Sequence, residues 1–176
     1  MADRDEVQAV YEGRHLSMVK RGRWEYATRN TQRPAVGIVA ITDEGKAVLV
    51  EQFRPPVAQA VVELPAGLAG DLPGREDETL VEAAQRELLE ETGYSATGWR
   101  TLGSYAVDGN RGSGTAYFFL ARAARQIQSP DADDLEEQEF RLLPVAEVRA
   151  ALLRGEFKVL PWTAVVALAL LALEQS

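Results

Sequence analysis

The sequence predicts an α+β domain. Two β-branched runs meet at a glycine turn, one long amphipathic helix begins after a Gly/Pro-rich loop, and further strands precede a carboxy-terminal pair of helices. Ala35 to Thr42 and Ala47 to Phe53 are the two runs, joined by Asp43-Glu44-Gly45-Lys46, and they read as a hairpin with Gly45 at positive φ. Pro55-Pro56 ends it, and Gly67, Gly70, Pro73 and Gly74 mark the loop that follows. From Thr79, Leu80, Val81, Ala83, Ala84, Leu88 and Leu89 recur at helical spacing, and Gly93 stands where a helix stops. Leu102 to Val107, Thr115 to Ala121 and Phe140 to Leu143 read as strands, Val145 to Arg154 as a helix, and the chain from Pro161 as a second, buried one. Upstream of Pro34 only Arg23 to Thr28 reads as a strand, so residues 1–34 form an N-terminal strand segment and 35–176 the main domain.

The 176 residues suit one domain with a real core, since 46% are hydrophobic. A net charge of -8 disfavours nucleic acid and anionic membrane as partners, and an anionic substrate would need a local cation. The run from Val159 to Leu173 falls short of the roughly 20 residues that cross a bilayer. With no cysteine and no apolar leader behind Met1, the expected location is cytoplasmic. A single histidine, His15, rules out multi-histidine zinc chemistry, and no Ser-His-Asp set, Cys-His pair or phosphate loop is present.

The chemistry gathers on the helix from Thr79. Glu87, Glu90 and Glu91 project from one face within about one turn, and like charges so spaced destabilise a helix by a few tenths of a kcal/mol. Glu90 and Glu91 also sit at the end where the macrodipole disfavours anions. Arg86 reaches Glu82 or Glu90 at i±4, which leaves Glu87 and Glu91 as hard oxygen donors for a divalent cation; a merely solvated acidic face is the rival reading.

Glu78, seven residues, then Arg86-Glu87-Leu88-Leu89-Glu90-Glu91-Thr92-Gly93-Tyr94 resembles the signature of the Nudix hydrolases. The signature's first glycine should stand at Leu72. Here Glu63-Leu64-Pro65-Ala66-Gly67 resembles the segment that opens the motif, so the loop between Gly67 and Glu78 carries an insertion of about five residues. The resemblance implies an α/β/α sandwich around a mixed sheet. It also implies that Glu87, Glu91 and the Ala66 carbonyl bind magnesium, with manganese an alternative, that Glu90 serves as ligand or base, and that Arg86 orients them.

Val50-Glu51-Gln52-Phe53-Arg54-Pro55-Pro56 resembles the branch of the family that acts on ADP-ribose and nucleoside-diphosphate sugars. Arg54, with Gln52 beside it, is then a phosphate clamp, and a surface ion pair with Glu51 or Glu63 is the alternative. Relatives place a catalytic glutamate in the acidic loop from Asp131, where Glu136, Glu137 and Glu139 are the candidates. Trp24 to Asn30 resembles a strand that packs across a dimer and helps hold the base, implicating Tyr26 and Arg29 and implying a homodimer. The branch normally has a proline near Gly109; this chain has Val107-Asp108-Gly109-Asn110-Arg111-Gly112-Ser113-Gly114, which makes Arg111 a phosphate contact for a different terminal group. The expected activity is hydrolysis of the diphosphate bridge of ADP-ribose or a related nucleoside-diphosphate sugar. A non-cleaving nucleotide-binding module and an enzyme of nucleoside triphosphates are the competing readings.

Overall fold

A computed structural model describes residues 6–31, 33–131 and 138–175. Its first unit is a three-stranded antiparallel sheet in the order β1 (Val7–Glu12), β2 (Leu16–Arg21), β3 (Trp24–Arg29). The sequence pattern picks out only the last of these. Every residue of β1 is exposed, because its pairing with β2 fixes the strand without burying either face.

The second unit is an eight-stranded mixed sheet. β4 (Ala35–Thr42) and β5 (Lys46–Arg54) form the expected hairpin, turning at Gly45 with φ 73°. Pro55–Val57 make one 3-10 turn, and the chain returns along β5 as β6 (Gln59–Glu63) and along β4 as β7 (Ala66–Leu68). Helix α1 (Leu80–Thr92) follows, then β8 (Tyr94–Ser95), β9 (Gly98–Ala106), β10 (Thr115–Gln126), β11 (Gln138–Pro144), α2 (Val145–Leu153) and α3 (Leu160–Glu174). The central order is β11-β5-β4-β10-β8, with β4 and β10 parallel and the other pairs antiparallel.

Alternation along β4 builds two cores on opposite faces of this sheet. Val39 and Ile41 pack with Leu49, Leu120, Val148, Val166 and Ala169 under α2 and α3. Ile38 and Ala40 pack with Val48, Phe119, Ala83 and Leu88 under α1. The architecture is therefore the expected α/β/α sandwich. The terminal helix is buried on one face only: Val165, Val166 and Ala169 are inside, while Leu160 and Leu171 face outward. No helix of the described residues is long and apolar enough to cross a membrane.

The N-terminal sheet meets the second unit at the glycine-rich loop. The Ala27 amide donates to the Arg111 carbonyl at 2.8 Å, the Ser113 amide donates to the Ala27 carbonyl at 3.2 Å, and Ser113 Oγ donates to Thr28 Oγ1 at 2.9 Å.

Candidate active site

Helix α1 is placed by its ends. Thr79 Oγ1 accepts the Glu82 amide while the Glu82 carboxylate accepts the Thr79 amide, a reciprocal capping box. Gly93 closes the helix at φ 74°, its amide donating to the Leu89 carbonyl. Between them Ala83, Ala84 and Leu88 are fully buried against the sheet, and this orientation turns Arg86, Glu87, Glu90 and Glu91 toward the segment from Glu63 to Asp71.

Arg86 is the centre of that face. Nη1 donates to Glu87 Oε1 at 2.8 Å and to Glu90 Oε2 at 2.9 Å. Nη2 donates to Glu78 Oε1, Asp71 Oδ1 and the Leu68 carbonyl, each at 2.9 Å, and Nε donates to Glu78 Oε2 at 3.3 Å. The sequence offered Glu82 or Glu90 as its partner; the structure selects Glu90, because Glu82 is engaged at the cap. It also corrects the expectation that Glu87 is left clear of Arg86, since the neighbouring carboxylate bends back onto the same guanidinium nitrogen. Burial works against the charge on Arg86, and the bonds from Glu78, Glu87 and Glu90 override it, so Arg86 holds its proton more tightly than a free arginine.

Each carboxylate has a distinct setting. Glu78 is held below the ordinary carboxylate value, first by its hydrogen bonds from Arg86 and then by the Gly70 amide at 2.7 Å. Glu87 is pushed up to about 7 by burial, which the attraction of Arg86 only partly offsets and the nearby charge of Asp71 reinforces. Glu91 Oε2 accepts the Ala66 amide at 3.0 Å. Gly67 lies flat against Glu87: a Cβ there would stand 2.0 Å from the carboxyl carbon and Oε1. The residue is glycine because helix and loop approach this closely.

A second group flanks this face. Arg54 donates from Nε to Glu63 Oε1 and Oε2 at 3.2 and 3.1 Å and from Nη2 to Oε2 at 2.6 Å, and Gln52 Nε2 donates to Glu63 Oε2 at 3.0 Å. Of the two partners considered for Arg54, the structure selects Glu63; Glu51 instead takes Arg141. Glu63 is buried, so this is no surface pair.

Glu136 and Glu137 lie outside the described residues. The ends of their loop are fixed beside the site: the Asp131 amide donates to the Glu90 carbonyl at 2.8 Å, and Gln138 pairs with Gln52 across β11 and β5. Glu139 is exposed on β11 opposite Glu51. Tyr26 lines a cavity of about 820 Å³ with Arg21, Trp24, Asn110 and Ser113. Arg29 lines an adjoining one of about 400 Å³ with Arg33, Asp108, Ser113 and Tyr117. Arg111 is exposed and bonded through Nε to Asp108 Oδ2 at 3.1 Å, and neither cavity is lined by it. Arg33 also approaches the inserted loop, its Nη1 standing 2.7 Å from where a Cβ on Gly70 would be.

Sequence reasoning missed Asp71, Glu63 as a buried anchor, and Arg33. Asp71 falls inside the insertion, where spacing carries no signal. Glu63 was visible as a charge ending an apolar run, Ala60-Val61-Val62, before Leu64-Pro65.

The donor set is made of carboxylates, which fits a hard divalent cation such as magnesium or manganese better than a thiolate- or imidazole-seeking metal. Among the described residues no three histidines, cysteines, aspartates or glutamates converge as a ready cage, since the carboxylates are turned onto Arg86 and the Ala66 amide.

Comparison with known proteins accords with this geometry. The chain is 36% identical over 106 residues to an ADP-ribose pyrophosphatase of Bacillus subtilis, covering 60% of this chain and 54% of that one. It is 34% identical over 124 residues to an ADP-ribose pyrophosphatase of Mycobacterium tuberculosis, covering 69% and 58%. The chain thus spans little more than half the length of these relatives. A crystal structure of an ADP compounds hydrolase superposes with a TM-score of 0.79 over 97% of this chain and 92% of that one, at 22% identity, which shows the shared fold. A family model for the NUDIX domain matches residues 31–163, and the chain belongs to the NUDIX family.

Proposed function

We propose that the chain hydrolyses the diphosphate bridge of ADP-ribose or a related nucleoside-diphosphate sugar, giving a nucleoside monophosphate and a sugar phosphate. The observation that carries this reading is the excess of negative charge on one face of α1. Asp71, Glu78, Glu87 and Glu90 share one guanidinium, and Glu91 lies one turn from Glu87. One buried cation does not balance them, and fixed anions of this density are favourable where divalent cations and a diphosphate complete the charge.

Glu87, Glu90, Glu91 and the Ala66 carbonyl are the groups that would hold magnesium, with manganese as the alternative. When bound, such a cation supplies Lewis acidity at the phosphoryl oxygens and a water of lowered pKa. Arg86 keeps the carboxylates in register, since each of its three nitrogens is spent on the site. Arg54 presents a guanidinium, anchored through Gln52 and Glu63, to a non-bridging phosphate oxygen. A carboxylate oxygen of Glu90, or of Glu136 or Glu137, takes the proton from the attacking water; Glu139, paired with Glu51 on β11, is on the opposite face of the sheet from Gln52 and Arg54. The cavities beside Tyr26 and Arg29 are of the size that ligand sites occupy, and the base or terminal sugar belongs there.

The N-terminal sheet supports a homodimer: Val7, Val10, Tyr11, Leu16, Met18 and Trp24 are all exposed on it, more apolar surface than three isolated strands sustain. We place the activity in the cytoplasm on the cysteine-free composition. The test is replacement of Glu91 by Gln, assayed with magnesium against ADP-ribose, ADP-glucose and GDP-mannose. Loss of at least about a hundredfold in kcat with the fold retained is expected; undiminished turnover would exclude the metal role.

A further inference from the structure

The geometry points to Glu63 as a positioning residue, one that aims the Arg54 guanidinium at the substrate diphosphate and ties it to the metal-binding face. The inference rests on the reading of Arg54 as a substrate contact. Pairing across β5 and β6 sets Val50 opposite Glu63, Gln52 opposite Val61 and Arg54 opposite Gln59. Gln52, Arg54 and Glu63 therefore share one face of the sheet. Glu63 is 2% exposed, and its oxygens accept Gln52 Nε2 once and Arg54 from two nitrogens.

A link with no other task than stability is a poor use of these residues. Burying a carboxylate costs several kcal/mol of desolvation, and apolar residues of similar volume hold a sheet face as well or better. What the carboxylate supplies is direction. Arg54 stays 37% exposed in its side chain while its Nε and Nη2 are held on Glu63, which restricts the orientation of the guanidinium.

The anchor is also in register with the helix. Three residues beyond Glu63 the Ala66 amide holds Glu91, and one further on Gly67 abuts Glu87. Glu63 and Ala66 are separated by no more than about 11 Å of extended chain. One short backbone segment thus carries both the anchor of Arg54 and the contacts that hold Glu87 and Glu91.

The experiment compares the full-length chain with E63Q, R54K and the E63Q/R54K double variant. It reads steady-state hydrolysis of ADP-ribose with magnesium, thermal unfolding, and the nitrogen-15 spectrum of arginine Nε–H groups. In E63Q the expected KM rises about ten- to thirtyfold, the cost of ordering on binding an arginine side chain that has lost its Glu63 anchor, with kcat within about threefold. The Arg54 Nε–H signal loses its protection from exchange, and the double variant is no worse than R54K alone. A kcat loss at unchanged KM that tracks a lowered Tm, or additive effects in the double variant, overturns the proposal. If E63Q does not fold, E63D, which keeps the charge but withdraws it by one methylene, is read by the same criteria. An inert wild-type chain refutes the proposed activity, whereas an active wild-type chain with an unaltered E63Q profile refutes this inference alone.

Discussion

Replacing Gly67 by Ala adds one methyl group where α1 and the β7 segment are closest. The new Cβ would stand 2.0 Å from Cδ and Oε1 of Glu87, and ordinary contact begins near 3.4 Å, so the carboxylate must withdraw by the difference, 1.4 Å. It has little room to do so, because Oε1 is bonded to Arg86 Nη1 at 2.8 Å and the residue is buried. A misplacement of about 1 Å costs on the order of a hundredfold in rate, so kcat/KM for ADP-ribose should fall by about 10² or more. Stability should fall by only about 1–3 kcal/mol, the usual cost of overpacking. The assay is magnesium-dependent turnover alongside thermal unfolding, at a temperature where the variant is folded. A Gly67→Ala protein with kcat/KM within threefold of wild type would refute the claim that Glu87 is a metal ligand held at a fixed distance from this loop.

Two further outcomes follow from the same face of α1. Glu87 has a folded value of about 7 against an ordinary 4.5, so between these pH values the folded chain keeps a proton that the unfolded chain has released. Metal-free stability should therefore fall as pH rises through that window and level off above it, by up to about 3 kcal/mol in all. Glu87→Gln should flatten the slope, and magnesium should raise the wild-type Tm more at pH 8 than at pH 6; unfolding scans over this range with chelator or magnesium decide it, and parallel slopes for the two proteins would contradict the assignment. Thr79→Ala removes the capping box at the far end of α1 and should cost about 1 kcal/mol, or about 2–4 °C in Tm, with kcat/KM within twofold, as scans and turnover assays will show.

The parts of the fold that were legible are those whose local chemistry is self-sufficient. Helix α1 could be read from Thr79 to Gly93 because cap, apolar face and stop all lie within one segment, and the hairpin of β4 and β5 because Gly45 marks its turn. The strands before Arg23 could not, since Val7 to Arg21 are held by cross-strand pairing while their apolar side chains other than Val19 stay exposed. Short β6 and β7, interrupted at Leu64-Pro65, offer too few residues for a period to show. β10 runs past Ala121 to Gln126 through a left-handed Ala123, where a register shift against β4 breaks the alternation. Within the site, residue types that act in cis along α1 were found; Asp71 was not, and Glu63 was named only as one of two surface partners for Arg54, because their importance lies in bonds to Arg86 and Arg54 across the fold.

The parallel pairing of β4 with β10 joins residues 35–42 to residues 116–124, and everything that forms the carboxylate face and the Arg54 anchor lies on the chain between them. Closing so large a loop is entropically slow, and no hairpin shortcut exists for a parallel pair. During synthesis, α1 emerges with its cap and apolar face complete but without one flank of the sheet on which it rests. Glutamates already fixed by a local helix must therefore wait for Phe119 and Ala121 before their scaffold is whole, so acquisition of metal affinity should report this long-range step of folding rather than the first appearance of helix.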